Sequence, residues 1–238
     1  MKKIPYVLFV MLAWSTIGGA QTKWHFKAGV GFSKIGTNYG KVYPGVDADN
    51  NPYNYDVESV SGISLGLGPT FQLNEVFSIQ PTLVFARRGF KQNGRSDIAR
   101  GNDFKANVSY FELPVDLVFS PKLGPGNLFL GVGPYLGYGA GGKWKTSGPV
   151  FIGDIVIDNK GDVAFQKDNS YGTMETFVYA KPWDYGAQLK VGYTLFKQYT
   201  ILFEVQRGLA NIHPKWSDYK SGVRIKNQSY GLSLAYSM

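Results

Sequence analysis

The chain of 238 residues contains no cysteine. Disulfide scaffolds, thiolate metal sites, cysteine nucleophiles and a lipid anchor on an N-terminal cysteine are thereby excluded. Charge is scarce. Asp, Glu, Lys and Arg make up 18% of the residues, against about 25% in an ordinary soluble domain. Histidine occurs only as His25 and His213, too few and too far apart for a zinc site of the usual kind. Long apolar runs are missing as well. The best is Ile4 to Trp14, and a membrane-spanning helix needs about 20 residues. A helical membrane protein is excluded. What the chain has in plenty is glycine, 30 residues, and aromatics, 16%. Low charge with abundant aromatics and glycines points to strands in an unusual solvent.

The first twenty residues have the three parts of an export leader. Lys2 and Lys3 precede the apolar run, and Gly18 and Ala20 supply the small residues a signal peptidase requires. Residues 1–20 are expected to be cleaved, leaving 21–238 as one domain.

From there the chain alternates with period 2, in blocks of roughly ten residues. Trp24, Phe26, Ala28, Val30 and Phe32 share one face of the first block, with His25, Lys27, Gly29 and Gly31 on the other. Phe111, Leu113, Val115, Leu117 and Phe119 oppose Glu112 and Asp116 in the fourth. Tyr185, Leu189, Val191 and Tyr193 oppose Asp184, Gln188 and Lys190 in the sixth. Eight such blocks leave connections near 36–60, 74–76, 91–106, 120–127, 141–181, 196–198 and 210–222. Long and short connections alternate, as in outer-membrane barrels with short periplasmic turns and long external loops. The expected fold is an all-β, eight-stranded antiparallel up-and-down transmembrane β-barrel, with both mature termini in the periplasm. A soluble lipocalin-like barrel is the alternative, with apolar residues inside. The polar face argues against it. That face is mostly Gly, Ser, Thr and Gln, which suit the narrow lumen of a small barrel. Aromatics gather near both strand ends, as in interfacial girdles: Phe77, Phe119, Tyr199 and Tyr236 at the turns; Phe85, Phe111, Tyr138 and Trp183 at the loops.

The motifs Lys27-Ala28-Gly29-Val30-Gly31-Phe32-Ser33, Phe111-Glu112-Leu113-Pro114-Val115 and Tyr230-Gly231-Leu232-Ser233-Leu234-Ala235-Tyr236 make the mature chain resemble the PorT-like outer-membrane β-barrel family. The resemblance implies an eight-stranded barrel in an outer membrane. Some members of that family are linked to secretion across that membrane. The chain ends Tyr236-Ser237-Met238, not on the terminal aromatic that barrel-insertion machinery often reads.

A three-residue hairpin loop at 196–198 sets Lys190 opposite Glu204, an expected ion pair in the lumen. Glu112, Asp116 and Lys27 are expected in the same polar network, with Arg88 as a further partner. Arg88, Lys91, Arg95, Arg100 and Lys105 also form a basic excess around the second external loop. Cation–phosphate pairing with lipopolysaccharide is its obvious use. The loop 141–181 exceeds the ordinary connector length. Ile152, Ile155, Val156 and Ile157 indicate an extra hairpin, Asp158-Asn159-Lys160-Gly161 supplies turn chemistry, and the loop is the expected surface for a protein partner.

Asp47, Asp49, Asn51 and Glu58 have the spacing of calcium-loop ligands, but Pro52 occupies the position that needs glycine. No metal site is assigned. No cofactor is expected, because the glycines follow strand parity and not the spacing of a phosphate loop. Nucleic acid is not an expected partner. The expected function is non-enzymatic: envelope structure, adhesion or a component of an envelope assembly. The alternative is a barrel enzyme acting on lipid, with His213, Ser217 and Asp218 in the last external loop.

Overall fold

A computed structural model describes residues 22–37, 57–96, 101–148, 150–152, 155–168, 176–215 and 224–238. The expected leader and the calcium-like segment at 47–51 lie outside the residues described.

Eight long strands form the wall. They are β1 (Thr22–Thr37), β2 (Val60–Gln72), β3 (Phe77–Pro81 and, past a break at Thr82, Leu83–Ser96), β4 (Gly101–Phe119), β5 (Gly126–Lys145), β6 (Trp183–Leu195), β7 (Tyr199–Gly208) and β8 (Ile225–Ser237). Each pairs antiparallel with the next in chain order. β8 then pairs with β1 from His25↔Ser237 to Thr37↔Ile225. The ladder returns to its start, which leaves the wall no open edge for lipid to strip of hydrogen bonds.

Parity orients the wall. The odd positions of β4 and β6 and the even positions of β1 point outward. Val30 is 65% exposed, Leu83 60% and Leu113 48%. A continuous apolar band of this kind is stable only against lipid, so the transmembrane barrel holds and the lipocalin alternative falls. Aromatic rows bound the band. At the loop end Phe85, Phe111, Tyr138 and Trp183 stand in register across β3 to β6. At the other end Phe77 packs on Phe119 and Tyr199 on Tyr236. Phe111 and Phe119 lie at the two edges of the band on one strand. At ~3.4 Å per residue that is about 27 Å of strand, or roughly 21 Å of height at a tilt near 40°.

Proline is accommodated where the ladder is already broken. Pro114 of β4 has no N–H to donate, and β3 is interrupted opposite it at Thr82, whose N–H donates to the Pro114 carbonyl at 3.0 Å. Side chains brace the short turns. The Asn74 side-chain oxygen accepts from the N–H groups of Val76 and Phe77 at 3.0 and 2.9 Å. The Tyr193 hydroxyl donates to the Leu123 carbonyl at 2.5 Å and accepts from the Gly126 N–H at 2.9 Å.

The loop end departs from expectation. β3 and β4 run through most of 91–106, so the second long loop is largely a hairpin standing above the membrane band. The 141–181 segment contains the expected hairpin, Val150–Ile152 with Ile155–Ile157. Lys160 and Gly161, expected in a turn, instead open the strand Lys160–Phe165. The cause is an edge. β6 begins at Trp183 opposite Tyr138, so β5 beyond that point loses its neighbour. The 160–165 strand takes the place, pairing Lys160↔Lys145 through Val163↔Gly142. Thr176–Ala180 then runs parallel to it. The 160–165 and 176–180 strands thus continue the barrel wall.

Candidate functional site

The lumen is filled in three layers. The middle layer is charged. Lys27 Nζ donates to Glu204 Oε2 at 2.5 Å, Lys190 Nζ to Asp116 Oδ2 at 2.7 Å, and Arg88 lies 2.7 Å from Glu112 Oε1. Asp116 also accepts from Gln188 Nε2 at 2.5 Å. Arg88 donates to the Ser229 hydroxyl at 2.7 Å and to the Gln206 side-chain oxygen. Nearby, Asp184 Oδ2 accepts from the Tyr135 hydroxyl and from Asn227 Nδ2, both at 2.9 Å. His25 lies below, between the hydroxyls of Thr70 (3.1 Å) and Thr82 (2.8 Å).

The structure therefore brings Lys27, Glu112, Asp116, Lys190 and Glu204 into one lumen, with a change of partner. Lys190 and Glu204 stand opposite each other in the ladder, yet Lys190 reaches past β5 to Asp116, and Glu204 is taken by Lys27. Gly131 lies between Lys190 and Val118 in register, and a Cβ there would make ordinary contact with Lys190 Cβ at 3.5 Å. Gly66 makes room for the Lys27 stem, whose Cγ would lie 2.9 Å from an added Cβ.

The loop-end layer is apolar. Phe90, Phe104, Ala106, Val108, Tyr110, Trp144, Val163, Tyr179, Ala180, Ala210 and Ile212 form one buried cluster, with Phe165 and Phe177 packed against it. Phe104 is the hub, its ring centroid 5.7 Å from Phe90, 6.0 Å from Trp144 and 4.9 Å from Phe177. Burial holds the Tyr179 phenol well above its ordinary pKa. Two glycines shape this cap. Gly141, at φ +126°, sits at a bulge in β5 where the register with β4 shifts, which turns Trp144 inward. Gly139 lies under the Phe165 ring, 2.3 Å from where a Cβ would stand. The turn-end layer is small: Val118, Phe129, Leu202 and Ala235. Below it opens a polar vestibule of about 620 Å³, lined by Thr70, Gln80, Asn127 and Thr194 among others.

The basic residues separate. Arg88, expected at the lipopolysaccharide face, is buried in the lumen because it falls on the inward parity of β3 and meets Glu112 there. Lys91 and Lys105 lie on the outer face of the β3–β4 hairpin, opposite one another. Arg95 pairs with Asn102 in the backbone ladder, and Arg100 lies outside the residues described. His213 is half-buried in the β7–β8 connection, where burial lowers its pKa, the Pro214 backbone pulls it partly back up, and the Lys181 charge adds a lesser push downward. Ser217 and Asp218 lie outside the residues described. Sequence reasoning missed Tyr135 and the apolar cap. Both were written in parity: Tyr135 follows the inward Gly131 and Gly133, and Phe104, Ala106, Val108 and Tyr110 alternate with Lys105, Asn107 and Ser109.

A closed sheet with an apolar exterior and an ion-paired interior defines a membrane β-barrel. The chain belongs to the outer membrane protein beta-barrel domain family, whose model matches residues 19–213, and its place is the outer membrane. Several solved structures are similar to the chain over most of its length. Ail of Yersinia pestis, solved with the heparin analogue sucrose octasulfate, is 11% identical at a TM-score of 0.44, covering 91% of this chain and 99% of its own. Neisserial surface protein A is 9% identical at 0.41, with 90% and 96% covered. OprG of Pseudomonas aeruginosa is 10% identical at 0.40, with 92% and 98% covered. Among curated proteins, none matches the sequence.

Proposed function

We propose that the protein is a non-enzymatic, non-conducting barrel that serves envelope structure or adhesion, with its loop end outside and both mature termini in the periplasm. The observation that carries this reading is the filled lumen. Three ion pairs occupy its middle and an aromatic cap its loop end. Against Lys27, Arg88, Glu112 and Glu204 lies a space of about 70 Å³, room for a few waters. The extended loop-end wall is the surface offered to partners, lipopolysaccharide through Lys91 and Lys105 and a protein partner through the 141–181 segment. The motif resemblance to PorT-like barrels supports a place in an envelope assembly.

Planar-bilayer recording tests the sealed lumen. Purified protein is expected to give no stable conductance, and reproducible single-channel steps would refute the reading. Orientation is tested with single cysteines, since the chain has none of its own. Lys167→Cys, at the loop end, is expected to react with an impermeant maleimide on intact cells, and Glu75→Cys, in a short turn, only after lysis. His213-dependent turnover of phospholipid or lipid A would overturn the non-enzymatic assignment.

A further inference from the structure

One register line of the loop-end wall is made of lysine. Lys91 of β3 stands opposite Lys105 of β4, Lys105 opposite Lys145 of β5, and Lys145 opposite Lys160 of the added strand. Residues directly opposite in a ladder share a face, with Cβ atoms about 4.5–5.5 Å apart. Their neighbours Phe90, Phe104 and Trp144 are buried inward, so the four lysines point outward. Like charges directly opposite destabilise a sheet. Among the described residues little relieves them. Glu58 stands opposite Lys91 at one end of the line. Asp162 is engaged by Lys143, and Asp103 accepts from the Ser147 hydroxyl. Lys105 and Lys145, in the centre, have lysine on both sides. A row of this kind works against the fold unless an anion spans it.

Its height selects the anion. Lys105 is six positions beyond Phe111, which lies in the loop-end aromatic row. That places the line about 20 Å further along the strand and roughly 15 Å above the apolar band. It faces sideways, on the wall that meets lipid lower down. We propose that Lys91, Lys105, Lys145 and Lys160 form a binding site for the phosphate groups on the sugar portion of lipopolysaccharide in the same leaflet. The ammonium groups act as point charges that each meet a phosphate oxygen. The site deepens the lipid contact proposed above and rests on the loop end being outside.

The test uses the full-length folded protein in detergent, with binding of fluorescent lipopolysaccharide followed at low salt. Wild type is expected to bind the phosphorylated lipid and to lose that binding when the lipid is dephosphorylated or salt is raised. The K105Q/K145Q double variant is expected to bind about tenfold more weakly, K145Q alone about threefold, from the usual size of exposed ion pairs. K105R/K145R is expected to stay near wild type, and so is K23Q at the opposite end. Relief of like-charge repulsion should also raise the melting temperature of K105Q/K145Q in lipid-free detergent, which separates a lost site from a lost fold. Equal binding of dephosphorylated lipid, or a double variant within twofold of wild type, overturns the site. A sulfated oligosaccharide that binds where lipopolysaccharide does not would also overturn it and identify an anion from outside the membrane. These failures leave Lys167→Cys labelling on intact cells unchanged. If that labelling fails, the orientation falls and takes the site with it.

Discussion

Replacing Lys190 with Met keeps the length and volume of the stem and removes the charge from the most enclosed of the lumen ion pairs. Asp116 is 0% exposed and the Lys190 side chain 4%. Removing one partner of such a pair costs about 3–5 kcal/mol, because the other charge stays buried without compensation. Gln188 still donates to Asp116, and a hydrogen bond to a charged group contributes about 1.5–3 kcal/mol. The expected loss is therefore near the lower figure, ~3 kcal/mol. Adding Asp116→Asn neutralises the stranded carboxylate and is expected to restore stability to within ~1 kcal/mol of wild type. The second change should thus recover about 2 kcal/mol, and the coupling energy exceeds that by whatever Asp116→Asn costs alone, since it strands the buried Lys190 ammonium. The same cycle between Lys190 and Glu204 should give well under ~1 kcal/mol, since Glu204 keeps Lys27 at 2.5 Å. The assay is urea unfolding from lipid vesicles, with the folded fraction read as the faster band of unboiled samples. An unchanged midpoint in Lys190→Met would refute the buried-pair argument. A larger coupling to Glu204 than to Asp116 would refute the Lys190–Asp116 pairing and restore the ladder pair.

The remaining predictions concern the cap and the loop beside it. Phe104→Ala empties the hub of the aromatic cluster and should cost about 3–5 kcal/mol in the same unfolding assay; a loss below ~1 kcal/mol would mean that the cap does not pack as a core. Gly139→Val drives a side chain into the Phe165 ring, so Phe165 should leave its place against Tyr110 and Tyr179, read as lowered melting temperature; an unshifted transition would deny the contact. Deleting 146–176 removes Val163 and Phe165 from the cap and should destabilise the barrel and redden Trp144 emission; an intact melting curve would show that the barrel does not depend on the loop. His213 is held below its ordinary pKa of 6.5, so the folded protein binds its proton less readily than the unfolded chain does. Its stabilisation is full above pH ~6.5 and fades as pH falls through that value, and a melting temperature that declines equally in His213→Gln would assign the decline to other groups.

Much of the wall was legible in the sequence because a membrane barrel obeys one rule, period 2 between two solvents. Strand number, the three short turns and the Lys190–Glu204 register all follow from it. Side-chain partners did not follow. Ladder register orders backbone neighbours, whereas in a narrow lumen a lysine stem reaches two strands away. The loop end was misread for a different reason. On β4 the outward face is apolar from Phe111 to Phe119, but from Phe104 to Tyr110 the apolar residues are the inward ones, and Lys105, Asn107 and Ser109 face out. The backbone continues unbroken through this reversal. A search for one apolar parity sees a strand beginning at Phe111 and a polar loop before it. The exchange of parity is itself the signal: the strand has left lipid for water, the inside must now supply the core, and the bulge at Gly141 makes the same exchange on β5 by inserting one residue. On that argument the position of the reversal, between Tyr110 and Phe111, marks the membrane boundary. The lysine line then lies on the water side of it, at a height set by strand geometry alone.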